Sequence, residues 1–445
     1  MKGLSTNARV LIVASDDTLA GPLAEGLDRL GWRTVTARGP YPALSALADL
    51  EIEAAIVDVG GGGAELAAFG AHLKAACAPR RLPVFAVGVP ATGALDSRSY
   101  DLALSPPLHP VQIALRLEQL VRTAVAEEEF ELRLETFAER GARLERPMEP
   151  ERPVRVLSVG NPDPKFLALS NALQGAGAET VGAFTAYTAF DYLHERPFDA
   201  VVLWGGHDQN EALSIAAGMR RNTRLYHVPV TLYLNRHADV NAAEVFNRGV
   251  TDVAAPDVAE AETAARVVAL ARAYRRQVAV REALERARGS GLMDSATGLF
   301  TRDLFAAHLG RLAAASRIRN RPLSVCVLRV AERPEIGRAR VGGWLDRAMP
   351  QIGSMISRLV RAEDTAARLA TEVFALALPA TSLGQARLVG ERIAAVIGCT
   401  AFDSGQGQPP FVAEFDLGVA KLEPGETAVA ALERAAGQTL RRQAG

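Results

Sequence analysis

At Val154 the chain begins again. "VRVLSVGNPDP" matches the earlier "ARVLIVASDD", "FDAVVLWGG" matches "EAAIVDVGG", "HVPVTLYLN" matches "RLPVFAVGV", and "VTDVAAPD" matches "DLALSPPL". Each is a short apolar run, followed by an amphipathic stretch such as the one carrying Leu19, Leu23, Leu27 and Leu30. Near-continuous apolar runs alternating with helical periodicity predict parallel strands covered on both faces. A duplication of that unit predicts two doubly wound α/β domains of about 120 residues each. We place them at residues 7–126 and 154–275.

The segments that leave the copies are also alike. Val111 to Glu139 has a helical pattern carried by Leu115, Leu117, Leu120, Val121 and Val125, and "RPMEPERP" stops and stiffens it. Residues 127–153 read as a helical linker. Val258 to Arg288 repeats the pattern with Val267, Leu270, Tyr274 and Val278, ending at "GSG", so residues 276–291 read as a linker helix and hinge. Each helix closes its domain and extends as a connector. A dimer-forming stripe is the alternative, although the apolar pattern fades around Arg281. Residues 292–445 follow another order: helix, strand "PLSVCVLRV", a helical stretch, strand "VFALALP", helix "LGQARLVGERIAAVI", strand "FVAEFDLGVAKL", and a closing helix. That order predicts a third α/β domain with an antiparallel-rich sheet.

Composition narrows the function. A formal net charge of −1 gives no electrostatic case for nucleic acid or an anionic membrane surface. Cys77, Cys326 and Cys399 are scattered among apolar neighbours, as buried thiols in a reducing compartment would be, not as a disulfide frame or zinc site. No apolar run is long enough to span a membrane, and the first residues lack a signal-peptide pattern. The expectation is a soluble cytoplasmic protein without membrane insertion or nucleic-acid partner. Arginine supplies nearly all positive charge, so any one arginine is weak evidence.

The first two units resemble response-regulator receiver domains, which have a flavodoxin-like fold. A receiver carries a phosphoacceptor aspartate at a strand end, an acidic pair for Mg²⁺, and a Thr/Ser and a Lys that register the phosphate. In the first unit Asp58 stands at the acceptor position. The acidic pair reads Ala14-Ser15, followed by Asp16 and Asp17, the Thr/Ser position is Gly88, and the Lys position is Ser105. Phosphorylation of Asp58 would need Asp16 or Asp17 to swing in. In the second unit the acceptor position is Trp204, the acidic pair Gly160-Asn161, and the Lys position Ala255. An indole cannot accept phosphate, so this is a pseudo-receiver.

The third unit resembles a GGDEF domain, the nucleotidyl-cyclase-like fold of diguanylate cyclases. The family's entry motif appears as "DSATGLFTR", with Asp294, Thr297, Gly298, Leu299 and Arg302. Receiver, receiver, GGDEF is an architecture of that family, and the resemblance covers nearly the whole chain. Cyclase chemistry needs carboxylates for Mg²⁺ and close backbone approach to phosphate. The resemblance puts Arg329 and Ala331 at metal positions, Ala370 and Thr371 at the paired glycines, and Gly337 at the guanine-reading Asn. Glu372, Phe374 and Asp346 remain, with Val373 at the second acidic position. A β-branched Thr371 keeps the main chain from phosphate. The implied domain is a degenerate cyclase with no catalytic metal. Arg329 and Glu372 are expected to form an ion pair where the cation stood.

Arg-x-x-Asp is cheap in an arginine-rich chain: Arg98 and Asp101, and Arg196 and Asp199, also fit it. Arg361 and Asp364 are different, because they precede the former GGDEF turn with the family's five-residue spacer. The resemblance makes Arg361, Asp364 and Arg392 the inhibitory site that binds cyclic di-GMP. An arginine fork suits guanine O6 and N7, and a carboxylate accepts from its N1–H and amine. The plain alternative is a surface ion pair contributing under about 1 kcal/mol. A family member that lost catalysis and kept this site resembles a cell-cycle adaptor. That likeness implies a homodimer at the cell pole, with protein partners of a proteolysis or polar-localisation pathway that delivers a regulator to the ClpXP protease. Three other readings stay open: a residual cyclase, a GTP sensor around Asp346, Arg441 and Arg442, and a nucleotide-free docking scaffold.

Overall fold

The computed structural model describes residues 8–60, 63–88, 98–104, 108–205, 209–222, 224–234, 241–287, 291–405 and 407–443. Ser105, Gly289, Ser290 and the side chains of Arg441 and Arg442 lie outside what is described.

The first copy contains β1 (Arg9–Val13), α1 (Asp17–Arg29), β2 (Arg33–Ala37), α2 (Pro40–Asp49), β3 (Ala54–Asp58), α3 (Gly63–Cys77), β4 (Val84–Val87), β5 (Leu102–Leu104) and α4 (Pro110–Ala138). Its strands pair in parallel in the order β2-β1-β3-β4-β5. The second contains β6 (Val154–Val159), α5 (Pro164–Gly175), β7 (Ala178–Ala183), α6 (Ala186–Glu195), β8 (Ala200–Gly205), α7 (Asn210–Arg221), β9 (Val230–Leu234), α8 (Ala242–Asn247), β10 (Asp252–Ala254) and α9 (Glu260–Arg286). Its sheet, β10-β9-β8-β6-β7, is again parallel and has the same connectivity. Every residue of β3, β4, β8 and β9 is buried, as a sheet covered on both faces requires.

The remainder contains α10 (Arg302–Ile318), β11 (Leu323–Val330), α11 (Pro334–Val341), α12 (Trp344–Leu359), β12 (Thr365–Ala370), β13 (Val373–Pro379), α13 (Leu383–Gly398), β14 (Ala401–Phe402), β15 (Phe411–Val412), β16 (Phe415–Lys421) and α14 (Ala428–Gln443). The sheet β12-β13-β11-β16 is antiparallel throughout. The expected single strand "FVAEFDLGVAKL" is two: Phe411–Val412 pairs with β14, and only Phe415–Lys421 joins the main sheet. Strand alternation divides the core. Leu323, Val325 and Val327 pack toward one side, while Cys326, Leu328 and Val330 pack toward α12 and α13.

The chain forms two compact units. One holds Thr6–Arg122 with Met148–Ala279; the other holds Thr123–Pro147 with Val280–Gly445. The second half of α4, read as linker from sequence, therefore packs with the antiparallel sheet. Leu132 and Phe137 share a core with Phe300, Phe305 and Leu309.

Candidate functional site

The site begins with "DSATGLFTR". The Asp294 carboxylate accepts from the Thr297 amide (3.0 Å) and hydroxyl (2.7 Å), and Gly298 takes φ +67°, closing a tight turn. Phe300 then bridges to β12: its amide donates to the Ala366 carbonyl at 3.0 Å, and its carbonyl accepts from the Arg368 amide at 3.0 Å. Arg368 ties the far end of β12 to this turn, donating to Asp294 (3.4 Å) and to the Thr371 carbonyl (3.0 Å).

At the near end of β12 stands the Arg361–Asp364 turn. The Asp364 amide donates to the Arg361 carbonyl at 3.2 Å, and Asp364 Oδ2 accepts from the Arg361 amide at 2.9 Å. Asp364 is only 3% exposed, and its Oδ1 has no hydrogen-bond partner among the described residues. Burial, with the Glu363 carboxylate beside it, pushes the Asp364 carboxyl up to about 7 against the pull of Arg361. Arg392, exposed on α13, donates from Nη2 to the Leu359 carbonyl at 2.8 Å. Arg392 is thereby tied to the backbone two residues before Arg361. A buried carboxylate oxygen lacking a donor, close to two guanidinium-bearing residues, fits a ligand that brings N–H groups and negative charge.

From inside, the same turn is held by residues that sequence reasoning missed. Arg133 of α4, 1% exposed, donates to the carbonyls of Ala362 (3.2 Å) and Asp364 (3.0 Å) and to Thr365 Oγ1 (3.1 Å). Its Nε donates to Glu129 Oε1 at 2.9 Å, which also accepts from Thr365 Oγ1 (3.1 Å) and His308 Nε2 (2.8 Å). Burial alone would raise the Glu129 carboxyl, but His308 and Arg133 outweigh it and hold it below the ordinary value. The i,i+4 spacing of Glu129 and Arg133 was a visible signal, as was His308 on the apolar face of α10. Neither spacing says what the pair would hold.

At the Ala370–Thr371 end of β12 the expected Arg329–Glu372 pair does not form. Glu372 is gripped by a fork from Arg340 of α11, with Nε to Oε1 and Nη2 to Oε2 both at 2.7 Å, and Arg340 also pairs with Glu332 at 2.9 Å. Those two carboxylates hold the Arg340 guanidinium above its ordinary pKa. Arg329 instead donates from Nε to Thr439 Oγ1 of α14 at 3.4 Å. Strand alternation is the reason. Arg329 lies opposite Val373 on the side of Val327, whereas Glu372, one residue earlier, has its carbonyl on the Val330 amide and lies on the other side. Ala331 is buried, Ala370 and Thr371 are exposed in the turn, and Gly337 sits inside α11. This donor set does not fit a divalent cation, since its one retained carboxylate is already neutralised by arginine.

In the first parallel-sheet domain Asp58 is 9% exposed and accepts from the Gly60 amide at 3.0 Å. Gly88 has φ +86°, where L side chains are strained, and a Cβ there would come 2.6 Å from Asp58 Oδ1, so a hydroxyl-bearing residue would have to displace the aspartate. Asp16 caps α1 through the Thr18 amide (2.8 Å), and Asp17 pairs with Arg38 (2.5 Å). In the second domain Trp204 stacks on Tyr233, with centroids 4.4 Å apart and planes 8° from parallel, and meets Phe166 edge-on at 5.2 Å. Among the described residues no group of three His, Cys, Asp or Glu could hold a metal ion, and no helix is long and apolar enough to cross a membrane.

Residues 291–444, which hold this antiparallel sheet, match the diguanylate cyclase GGDEF domain family. The chain is similar to the response regulator PleD of Caulobacter vibrioides, in strains NA1000 / CB15N and ATCC 19089 / CIP 103742 / CB 15. Identity to each is 23% over 240 residues, covering 54% of this chain and 53% of PleD. The chain spans about half the length of the curated relatives it matches. Similar solved structures include the GGDEF domain of DgcB from Caulobacter crescentus in complex with c-di-GMP. That one has 22% identity and a TM-score of 0.33, covering 35% of this chain and 89% of that one. Another is the diguanylate cyclase SiaD in complex with its activator SiaC from Pseudomonas aeruginosa, with 23% identity and a TM-score of 0.33, covering 37% and 63%.

Proposed function

We propose that this chain is a catalytically inactive GGDEF protein that senses cyclic di-GMP through Arg361, Asp364 and Arg392. One observation carries the reading: the buried, donor-less Oδ1 of Asp364 on a turn flanked by two arginine residues. Guanine N–H groups would satisfy that oxygen, the guanidinium forks would read guanine O6 and N7 or stack on the base, and their charge would favour the phosphates. Inactivity is supported by Arg329 and Ala331 at metal positions, by Ala370 and Thr371 in the turn, by Gly337 at the base-reading position, and by Arg340 covering Glu372.

The two parallel-sheet domains read as a receiver and a pseudo-receiver. Gly88 packed on Asp58 and the aromatic stack at Trp204 argue that they serve as docking surfaces rather than phosphate sensors. In this reading the chain is a homodimeric adaptor that recruits protein partners of a proteolysis or polar-localisation pathway. Titration calorimetry tests the core of it. Cyclic di-GMP is expected to bind the full chain at micromolar or tighter affinity. Arg361→Ala or Asp364→Ala abolishes binding, Asp58→Ala leaves it unchanged, and GTP with Mg²⁺ yields no cyclic product. Equal affinity of the wild type and Arg361→Ala, or product formation, overturns the assignment.

A further inference from the structure

We infer that Arg133 is the positioning residue of the Arg361–Asp364 turn, and that through it the ligand site and the second half of α4 act as one cooperative unit. This rests on the reading of that turn as the cyclic di-GMP site. It goes beyond the GGDEF domain, because α4 lies far outside residues 291–444.

The turn has two gripped sides. On one, the Asp364 carboxylate accepts from the Arg361 amide, and Arg392 holds the Leu359 carbonyl two residues before Arg361. On the other, the backbone carbonyls of Ala362 and Asp364 and the Thr365 hydroxyl converge on the Arg133 guanidinium. Arg133 Nη1 also donates to the Leu284 carbonyl at 3.4 Å, and its guanidinium carbon lies 5.7 Å from the Phe300 ring centre. An apolar contact runs parallel to the polar one: Ala362 packs on a cluster of Ala126, Phe130, Val280, Ala283 and Leu284.

A guanidinium this buried is tolerated only while its donors are satisfied. If the turn moved away, Arg133 would lose three acceptors and Glu129 would lose the Thr365 hydroxyl. The turn is thereby held in one arrangement before ligand arrives, which removes part of the ordering cost of binding. Coupling is reciprocal: whatever steadies the turn from the ligand side must also steady α4, and loosening α4 must weaken the ligand.

Hydrogen exchange and calorimetry on the full chain test this with Arg133→Met, Thr365→Val and Arg361→Ala. Without ligand, Arg133→Met and Thr365→Val are expected to speed exchange of the amides at 361–365 by at least about tenfold. Unchanged exchange there in both variants overturns the inference whether or not the protein binds cyclic di-GMP. With cyclic di-GMP, wild-type amides at 126–137 should become protected, and Thr365→Val should weaken affinity several-fold while losing that remote protection. Loss of affinity with remote protection intact would mark a merely structural role. If Arg133→Met does not fold, Thr365→Val decides alone, since it removes one hydroxyl and little volume. Absence of binding by the wild type defeats the proposed function instead, and leaves the ligand-free exchange to judge Arg133.

Discussion

The two ends of β12 are held in different ways. At the Arg361–Asp364 end the groups are buried: Arg133, Glu129 and His308 are each no more than 1% exposed, and each has a specific partner. At the Ala370–Thr371 end Glu372 is held by the Arg340 fork, with the Arg340 side chain 43% exposed. Exposed pairs contribute little and tolerate change, whereas a buried charged network is costly to disturb from any side. A turn wired into the core cannot move without disturbing its support.

The largest effect that would separate the two ends is on stability. Arg133→Met removes the guanidinium from the Glu129 carboxylate, leaving it His308 and Thr365, and strands the Ala362 and Asp364 carbonyls in the core; it is expected to cost about 3–5 kcal/mol in denaturant unfolding. Arg340→Ala, at the exposed end, should cost under about 1 kcal/mol. If the two variants lose the same stability, the contrast is wrong.

Next in size is a pH dependence confined to the buried end. Folding raises the Asp364 carboxyl from 3.8 to about 7, chiefly by burial, with Glu363 and Glu129 adding to the rise and Arg361 opposing it. Its contribution to stability is therefore fully present below about pH 4 and is lost as pH rises through about 7. Ligand affinity should run the other way, because the ionised carboxylate is the acceptor for guanine N–H. Calorimetry across pH 5.5 to 8 should show affinity climbing to a plateau above about 7, and Asp364→Asn should flatten the profile.

A smaller effect sharpens the comparison of the two parallel-sheet domains. Gly160 has φ +146°, and a Cβ there would come 2.2 Å from Trp204 Cβ. Gly160→Ala should therefore cost about 1–3 kcal/mol by displacing the stack on Tyr233, measurable as a change in tryptophan fluorescence during unfolding. Smallest of all, Thr371→Gly in the exposed turn should stay within about 0.5 kcal/mol of the wild type and produce no cyclase activity. Product formation by that one change would mean that Thr371 alone had silenced the site.

Much of this architecture was readable because it is local. The apolar runs "RVLIV", "AAIVD", "VRVLSV" and "AVVLWG" are β1, β3, β6 and β8 of the two parallel sheets, since a doubly covered strand must be apolar on both faces. The split of "FVAEFDLGVAKL" escaped because Ala413 and Glu414 interrupt the ladder without a proline or glycine to mark it. The candidate site was half legible. Arg361 and Asp364 stood out by their spacer and Arg392 by the family resemblance; the Arg361–Asp364 turn forms, and Arg392 holds the Leu359 carbonyl two residues before it.

What residue order could decide was everything governed by neighbours along the chain: strand period, turn chemistry and the doubling of a domain. The choice of Arg340 over Arg329 as partner to Glu372 belonged to the packed molecule, because it depends on which face of β11 meets which helix. Arg133 reaching a turn more than two hundred residues away did too. Charges buried far apart in sequence find one another only after the chain has excluded water between them, and no local pattern carries that information.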